Sequence, residues 1–153
     1  MDDLIKAAKE AVSKSNDLKN KFTYATDAPV EFGCVFCQTP EEYEKFTNTI
    51  TPLDRIVEDT PSGYTYLLKE PIETVSGPLR LLKIRKPDPK RKERGDADFN
   101  TNYEEFSSRY QSDPRFKIVE HKTFKYLRLE VPGSGTMACF SNRPKSKVLG
   151  LSG

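Results

Sequence analysis

The sequence predicts an α+β fold: two tandem β-α-β-β-β modules, residues 29–87 and 94–144, preceded by an amphipathic helix over residues 1–22. Three observations predict it. A short motif recurs 63 positions downstream, a capping signature starts the helix of the first copy, and alternating apolar runs are divided by Gly and Pro turns.

The N-terminal stretch DDLIKAAKEAVSKSNDLKNKF places Leu4, Ile5, Ala8 and Val12 on one stripe, with Lys and Glu around it. This helix lies outside the repeat. Its simplest role is a strut packed on the sheet; the alternative is a helix that meets a partner or a second copy in a homodimer.

VEFGCVFCQ, rich in Val, Phe and Cys, reads as a buried strand, and Gly33 within it marks a close backbone approach. Thr39 then suits an N-cap. Pro40 suits the first helical position, where no N–H is needed, and Glu41 and Glu42 favour the positive end of the helix dipole. The predicted helix covers 40–49, with Tyr43 and Phe46 on one face. After Pro52 come DRIVED, a turn at Thr60-Pro61-Ser62-Gly63, YTYLLKE, a turn near Ser76-Gly77-Pro78, and LRLLKIR. The second copy runs ADFNT, a helix over 103–111, FKIVEHKTF, KYLRLEV, a Pro132-Gly133-Ser134-Gly135 turn, and TMACFSN.

The two copies match in order. FCQTPEEY (36–43) answers FNTNYEEF (99–106), Ile56-Val57-Glu58 answers Ile118-Val119-Glu120, Tyr66-Leu67 answers Tyr126-Leu127, and Lys86-Pro87 answers Arg143-Pro144. The offset falls from 63 to 57, as it would if connecting loops had lost residues.

Composition narrows the function. A chain of 153 residues supports one buried core, making residues 23–153 a single domain with the helix packed on it. Nine Phe and seven Tyr oppose disorder, and a net charge of +2 singles out neither nucleic acid nor an acidic partner. No apolar run is long enough to cross a bilayer, and the acidic start does not read as a signal peptide, so a cytoplasmic protein without a membrane partner is expected. Three cysteines make an odd number without framework spacing.

Candidate site residues follow from strand parity. Alternation sets Phe32, Cys34 and Phe36 on one side of the first strand and Glu31, Gly33, Val35 and Cys37 on the other. Aligning Phe36 with Phe99 puts Asp96 and Asp98 with the second set. If the Phe face packs on the helices, the concave side of the sheet receives Glu31, Asp96 and Asp98, joined by Lys83 and Arg85. These five define a candidate site for a small polar or anionic molecule, although structural ion pairing explains them equally well.

Other motifs read more plainly. Cys34 and Cys37 are three apart on a strand and face opposite sides, so they cannot share an ion there. His121 is the single histidine and reads as a solvent-facing strand residue; alone it cannot build a multi-His metal set or serve a nucleophile constellation, so no catalytic residue is assigned. KIRKPDPKRKER (83–94) carries seven basic residues against two acids, a conceivable nucleic-acid patch. Its prolines and lack of aromatics favour a solvated bridge over 86–94.

Two β-α-β-β-β units in tandem, with GDADF (95–99) opening the second, resemble the vicinal oxygen chelate (glyoxalase and bleomycin-resistance-like) superfamily, nearest in style to its YecM-like branch. The resemblance spans about residues 29–144 and implies a curved, half-open mixed-sheet barrel around a cavity. It also implies an alternative function, as a metal-dependent lyase, isomerase or dioxygenase with His or Glu ligands on the first and last strand of each module. Those positions fall at Phe32 or Gly33, Lys83, Asp96 and about Phe140. One carboxylate and one ammonium among them hold a metal poorly, so no metal or other cofactor is expected, and the chain reads as a metal-free binding or non-catalytic module.

Overall fold

The computed structural model of this chain describes residues 2–50 and 54–151. Helix α1 covers Asp2–Phe22, and the first module follows as β1 (Val30–Phe36), α2 (Pro40–Thr49), β2 (Arg55–Thr60), β3 (Gly63–Thr74) and β4 (Gly77–Arg85). The second comprises β5 (Gly95–Phe99), α3 (Tyr103–Tyr110), β6 (Phe116–Glu120), β7 (Lys125–Glu130) and β8 (Met137–Ser141), and a short helix α4 (Lys145–Val148) comes last. The break expected at Pro52 lies outside the described residues.

Local chemistry sets the helix starts. Thr39 accepts from the Glu42 backbone N–H with Pro40 at the first turn, and Asn102 accepts from Glu105 N–H in the same way.

All eight strands join one mixed sheet in the order β2-β3-β4-β1-β5-β8-β7-β6, which is not closed; β2 and β6 are its edges. The order is symmetric about the β1–β5 junction. β1 pairs parallel to β4 as β5 does to β8, and the outer strands of both halves pair antiparallel. The halves meet antiparallel through Phe32↔Asp98, Gly33↔Ala97, Cys34↔Asp96 and Val35↔Gly95.

Close packing explains two glycines at this junction. A Cβ on Gly95 would stand 2.3 Å from the Cys34 carbonyl oxygen and 2.7 Å from Ala11 Cβ, and one on Gly33 would meet Leu79 at 3.1 Å and Val12 at 3.6 Å. So α1 lies directly on the junction, through its buried Leu4, Ala8, Ala11 and Val12. Ser15 Oγ donates to the Met137 carbonyl at 2.6 Å, and buried Lys19 donates to the carbonyls of Ala25 and Thr26 at 2.8 and 3.1 Å.

One face of the sheet carries the core. Val35, Ile84, Ala97, Phe99, Leu127 and Phe140 pack there with Phe46 of α2 and Phe106 of α3. Phe106 stacks on Phe140 with ring centroids 4.2 Å apart.

The face expected for β1 is reversed. Phe36 does not join Phe99 against the helices; it lies on the opposite face in a small cluster with Cys34 and Met137. Phe99 stands opposite Val30, while Asp98 stands opposite Phe32. The Phe36–Phe99 alignment is therefore slipped by one residue, and a one-residue slip inverts every side chain of a strand. Asp96 and Asp98 still face away from the core, but in company with Phe32, Cys34 and Phe36.

Candidate functional site

The face opposite the helices holds a cavity of about 420 Å³. Its floor follows from the ladders. Lys83 is the β4 partner of Cys34 and Asp96 is its β5 partner, so the three form a transverse row with side chains on one side of the sheet. The neighbouring partners Phe32 and Asp98 extend the floor, which Cys139 and Ser141 continue on β8.

Four of the five sequence-predicted residues, Lys83, Arg85, Asp96 and Asp98, line this cavity. Glu31 does not. A register irregularity between Val30 and Phe32 breaks the alternation there. Glu31 instead accepts from Asn100 Nδ2 at 3.0 Å and from the Ser146 backbone N–H at 2.8 Å, tying the start of α4 to the sheet.

Each charged group has a distinct environment. Lys83 Nζ donates to Ser62 Oγ at 2.7 Å and Thr60 Oγ1 at 3.1 Å, both neutral partners, and burial pushes its ammonium below the ordinary lysine range. The Arg85 guanidinium lies 5.1 Å from the Phe36 ring centroid and 3.7 Å from Asp88 Oδ2, and its buried Nε has no hydrogen-bond partner. Burial, with the charge of Asp98 second, raises Asp96 to about 7. Burial likewise raises Asp98 to about 6, against the opposing pull of Lys145 and a 3.3 Å bond from Ser141 Oγ.

The cavity also takes residues that the sequence reading passed over. Glu58 of β2 binds Lys145 of α4 at 2.9 Å and accepts from Thr65 at 3.0 Å. Burial alone would raise Glu58, but these bonds outweigh it and hold the carboxyl below its ordinary range. Lys145 also stands 5.0 Å from the Phe32 ring. His121, expected as a solvent-facing strand residue, is exposed but lies just beyond β6 on the cavity wall, stacked on Phe124 at 4.6 Å. The available signal for Glu58 and His121 was the repeat itself, which matches Glu58 of the first copy with Glu120, beside His121, of the second.

Metal-ligand chemistry does not assemble. Among the described residues no three His, Cys, Asp or Glu side chains are grouped to hold an ion. Of the positions that the superfamily resemblance singles out, Phe32, Lys83 and Asp96 line the cavity, whereas Phe140 is buried in the core. Cys34 and Cys139 face the cavity and Cys37 the core; all three are free and buried, and burial drives the first two thiols far above their ordinary range.

The basic bridge is drawn into the structure. Lys83 and Arg85 turn into the cavity, Arg91 reaches the Met137 sulfur at 3.6 Å, and Arg94 pairs with Glu42 through two bonds of 2.9 and 3.0 Å. Lys90 and Lys92 remain on the outside. No helix among the described residues is long and apolar enough to cross a membrane.

No family model matches the chain, and no curated protein matches it either. A solved structural-genomics protein, EC4020, is similar in fold, with a TM-score of 0.72 at 11% identity over 97% of this chain and 91% of that one. The comparison therefore shows a shared α+β fold: an N-terminal helix with a single open eight-stranded mixed sheet.

Proposed function

We propose that this chain is a metal-free binding module that takes a small polar molecule into the cavity between its two halves. The observation that carries the reading is the convergence of Lys83, Arg85, Asp96 and Asp98 on one concave site of about 420 Å³, within the usual size range of ligand pockets. Among the described residues, structural ion pairing reaches only Arg85, 3.7 Å from Asp88. Lys83 is held by hydroxyls and not by a carboxylate, and no described side chain donates a hydrogen bond to the Asp96 carboxylate. Half-buried polar groups with so little compensation are what a polar ligand would complete.

The two halves are read as paired modules of the vicinal oxygen chelate type, curled into a half-open barrel; the symmetric strand order supports this. The free thiols suit a reducing compartment, in keeping with a cytoplasmic location. The metal-dependent lyase, isomerase or dioxygenase of the same superfamily would need ligands that this donor set lacks. A nucleic-acid role for the bridge would rest on exposed Lys86, Lys90 and Lys92 alone, since Arg91 and Arg94 are engaged within the fold.

The test is a thermal-shift screen of the full chain against a panel of polar metabolites. At least one compound is expected to raise Tm in wild type and in Lys90→Met but not in Lys83→Met. Hits that survive Lys83→Met undiminished place the binding elsewhere and defeat the reading.

A further inference from the structure

We infer that the ligand is a small organic anion bearing hydroxyl groups, its anionic group held by Lys83 and Arg85 and its hydroxyls directed at Asp96 and Asp98. The inference rests on the binding reading above and adds the ligand's chemistry and orientation.

Charge balance is the first ground. Four cationic side chains, Lys83, Arg85, Arg143 and Lys145, line the cavity against the three carboxylates of Glu58, Asp96 and Asp98. Glu58 and Lys145 already neutralise each other at 2.9 Å. What remains is Lys83, Arg85 and the exposed Arg143 against Asp96 and Asp98, and along the floor the charge is polarised. The first half contributes the cations on β4 and the second half the carboxylates on β5, with β1 between them. A monoanion removes the excess positive charge, whereas a neutral molecule or a zwitterion leaves it and a cation adds to it.

Donor supply is the second. Lys83 spends two of its three N–H donors on Ser62 and Thr60 and keeps one. Arg85 has only a loose 3.7 Å approach to Asp88, and its guanidinium lies 5.1 Å from the Phe36 ring centroid. An ammonium and a guanidinium on alternate residues of one strand suit the two or three oxygens of a carboxylate or phosphate.

Acceptor supply is the third. Asp98 takes a 3.3 Å bond from Ser141 and a further one from the Cys139 thiol, whereas no described side chain bonds the Asp96 carboxylate. Carboxyl groups held near neutrality interconvert between acceptor and donor, and hydroxyls can serve either state. The wall formed by Phe32 and Phe36 gives the carbon skeleton an apolar surface.

The test is a set of amide-resolved NMR titrations of the full chain at pH 7 with gluconate, glucose 6-phosphate, glucose, glucosamine and inorganic phosphate. Gluconate or glucose 6-phosphate is expected to shift the amides of Lys83, Arg85, Asp96 and Asp98 saturably, and the arm that binds tells carboxylate from phosphate. Glucose, glucosamine and inorganic phosphate should each bind about tenfold more weakly or worse, as the loss of charge-assisted bonds predicts. Lys83→Met and Arg85→Gln should each weaken the anion by about tenfold, with Lys83→Arg recovering part of the loss. Glucose or glucosamine binding as tightly as the anions overturns the inference; so does anion binding unchanged in both variants or confined to the amides of 86–94. No saturable shift with either hydroxylated anion also overturns it. A neutral or cationic compound shifting the same four amides would still leave the broader binding reading in place.

Discussion

Cys34 stands directly opposite Asp96 in the antiparallel β1–β5 ladder, and its neighbour on the other side is Lys83 of β4. Directly paired residues share a face, so this register alone carries an ammonium from the first half and a carboxylate from the second to one side of the sheet. The row exists because the halves meet through their first strands. Had they met through outer strands, Lys83 and Asp96 would be separated by several strand widths of about 4.8 Å each.

The carboxylates predict an inverted pH response. Burial raises Asp96 to about 7 and Asp98 to about 6 in the folded chain, above the ordinary 3.8. The folded state therefore keeps protons that the unfolded chain releases, and the stability these groups contribute is present below about pH 4 and lost as pH rises through 6 and 7. Asp96→Asn should lie within about 0.5 kcal/mol of wild type at pH 4 and be more stable by on the order of 1–3 kcal/mol at pH 8, allowing for water in the cavity. Urea melts at the two pH values check this; a difference that does not change with pH contradicts it.

Two phenylalanines of the repeated motif should respond differently to truncation. Phe99 is 1% exposed and belongs to the main core, so Phe99→Ala should cost about 3–5 kcal/mol. Phe36 is 2% exposed but borders the cavity, where its removal only enlarges an existing space, and Phe36→Ala should cost about 1–3 kcal/mol. Equal losses in parallel urea melts would mean that both rings sit in equivalent packing.

Gly95→Ala tests the junction. The added Cβ would meet the Cys34 carbonyl oxygen at 2.3 Å, a backbone atom that cannot move without disturbing the β1–β5 ladder. A loss of about 3 kcal/mol or more is expected, against roughly 1 kcal/mol for Gly33→Ala, whose closest neighbour is a Leu79 methyl at 3.1 Å. Calorimetric melts showing the two variants equally stable would remove the junction from its central place in the fold.

The elements of this fold were legible because each has a local cause. Thr39, Pro40 and the following glutamates start α2 at the expected residue, and Pro and Gly punctuate the strands where turns occur. Facing was not legible for β1. VEFGCVF is apolar on both sides because one face meets α1 and the other the Cys34–Phe36–Met137 cluster, so alternation carried no signal and the slipped Phe36–Phe99 alignment went unopposed. Lys83 and Arg85 share a side because they lie two apart on β4, and Asp96 and Asp98 do so on β5, a relation that alternation alone makes legible. Glu31 was misplaced by the irregularity at Val30–Phe32, a feature of pairing that a single strand's sequence does not encode. The α4 segment was missed because Pro144 gives it no side-chain cap and Lys145-Ser-Lys-Val has no apolar stripe.

Lys83 separates site from scaffold. Its direct partners are the hydroxyls of Thr60 and Ser62, which can turn to water, so Lys83→Met should stay within about 1 kcal/mol of wild type in urea melts. A loss above about 3 kcal/mol would show that the ammonium compensates buried carboxylates and that the cluster is structural.

The most direct measurement is a crystal structure of the full chain grown or soaked with the compounds that raise its Tm. One molecule is expected in the cavity opposite the helices, with an oxygen within about 3.2 Å of Lys83 Nζ or the Arg85 guanidinium and a second polar atom equally close to Asp96 or Asp98. A bound molecule located only elsewhere, with water alone between Lys83 and Asp96, would contradict it.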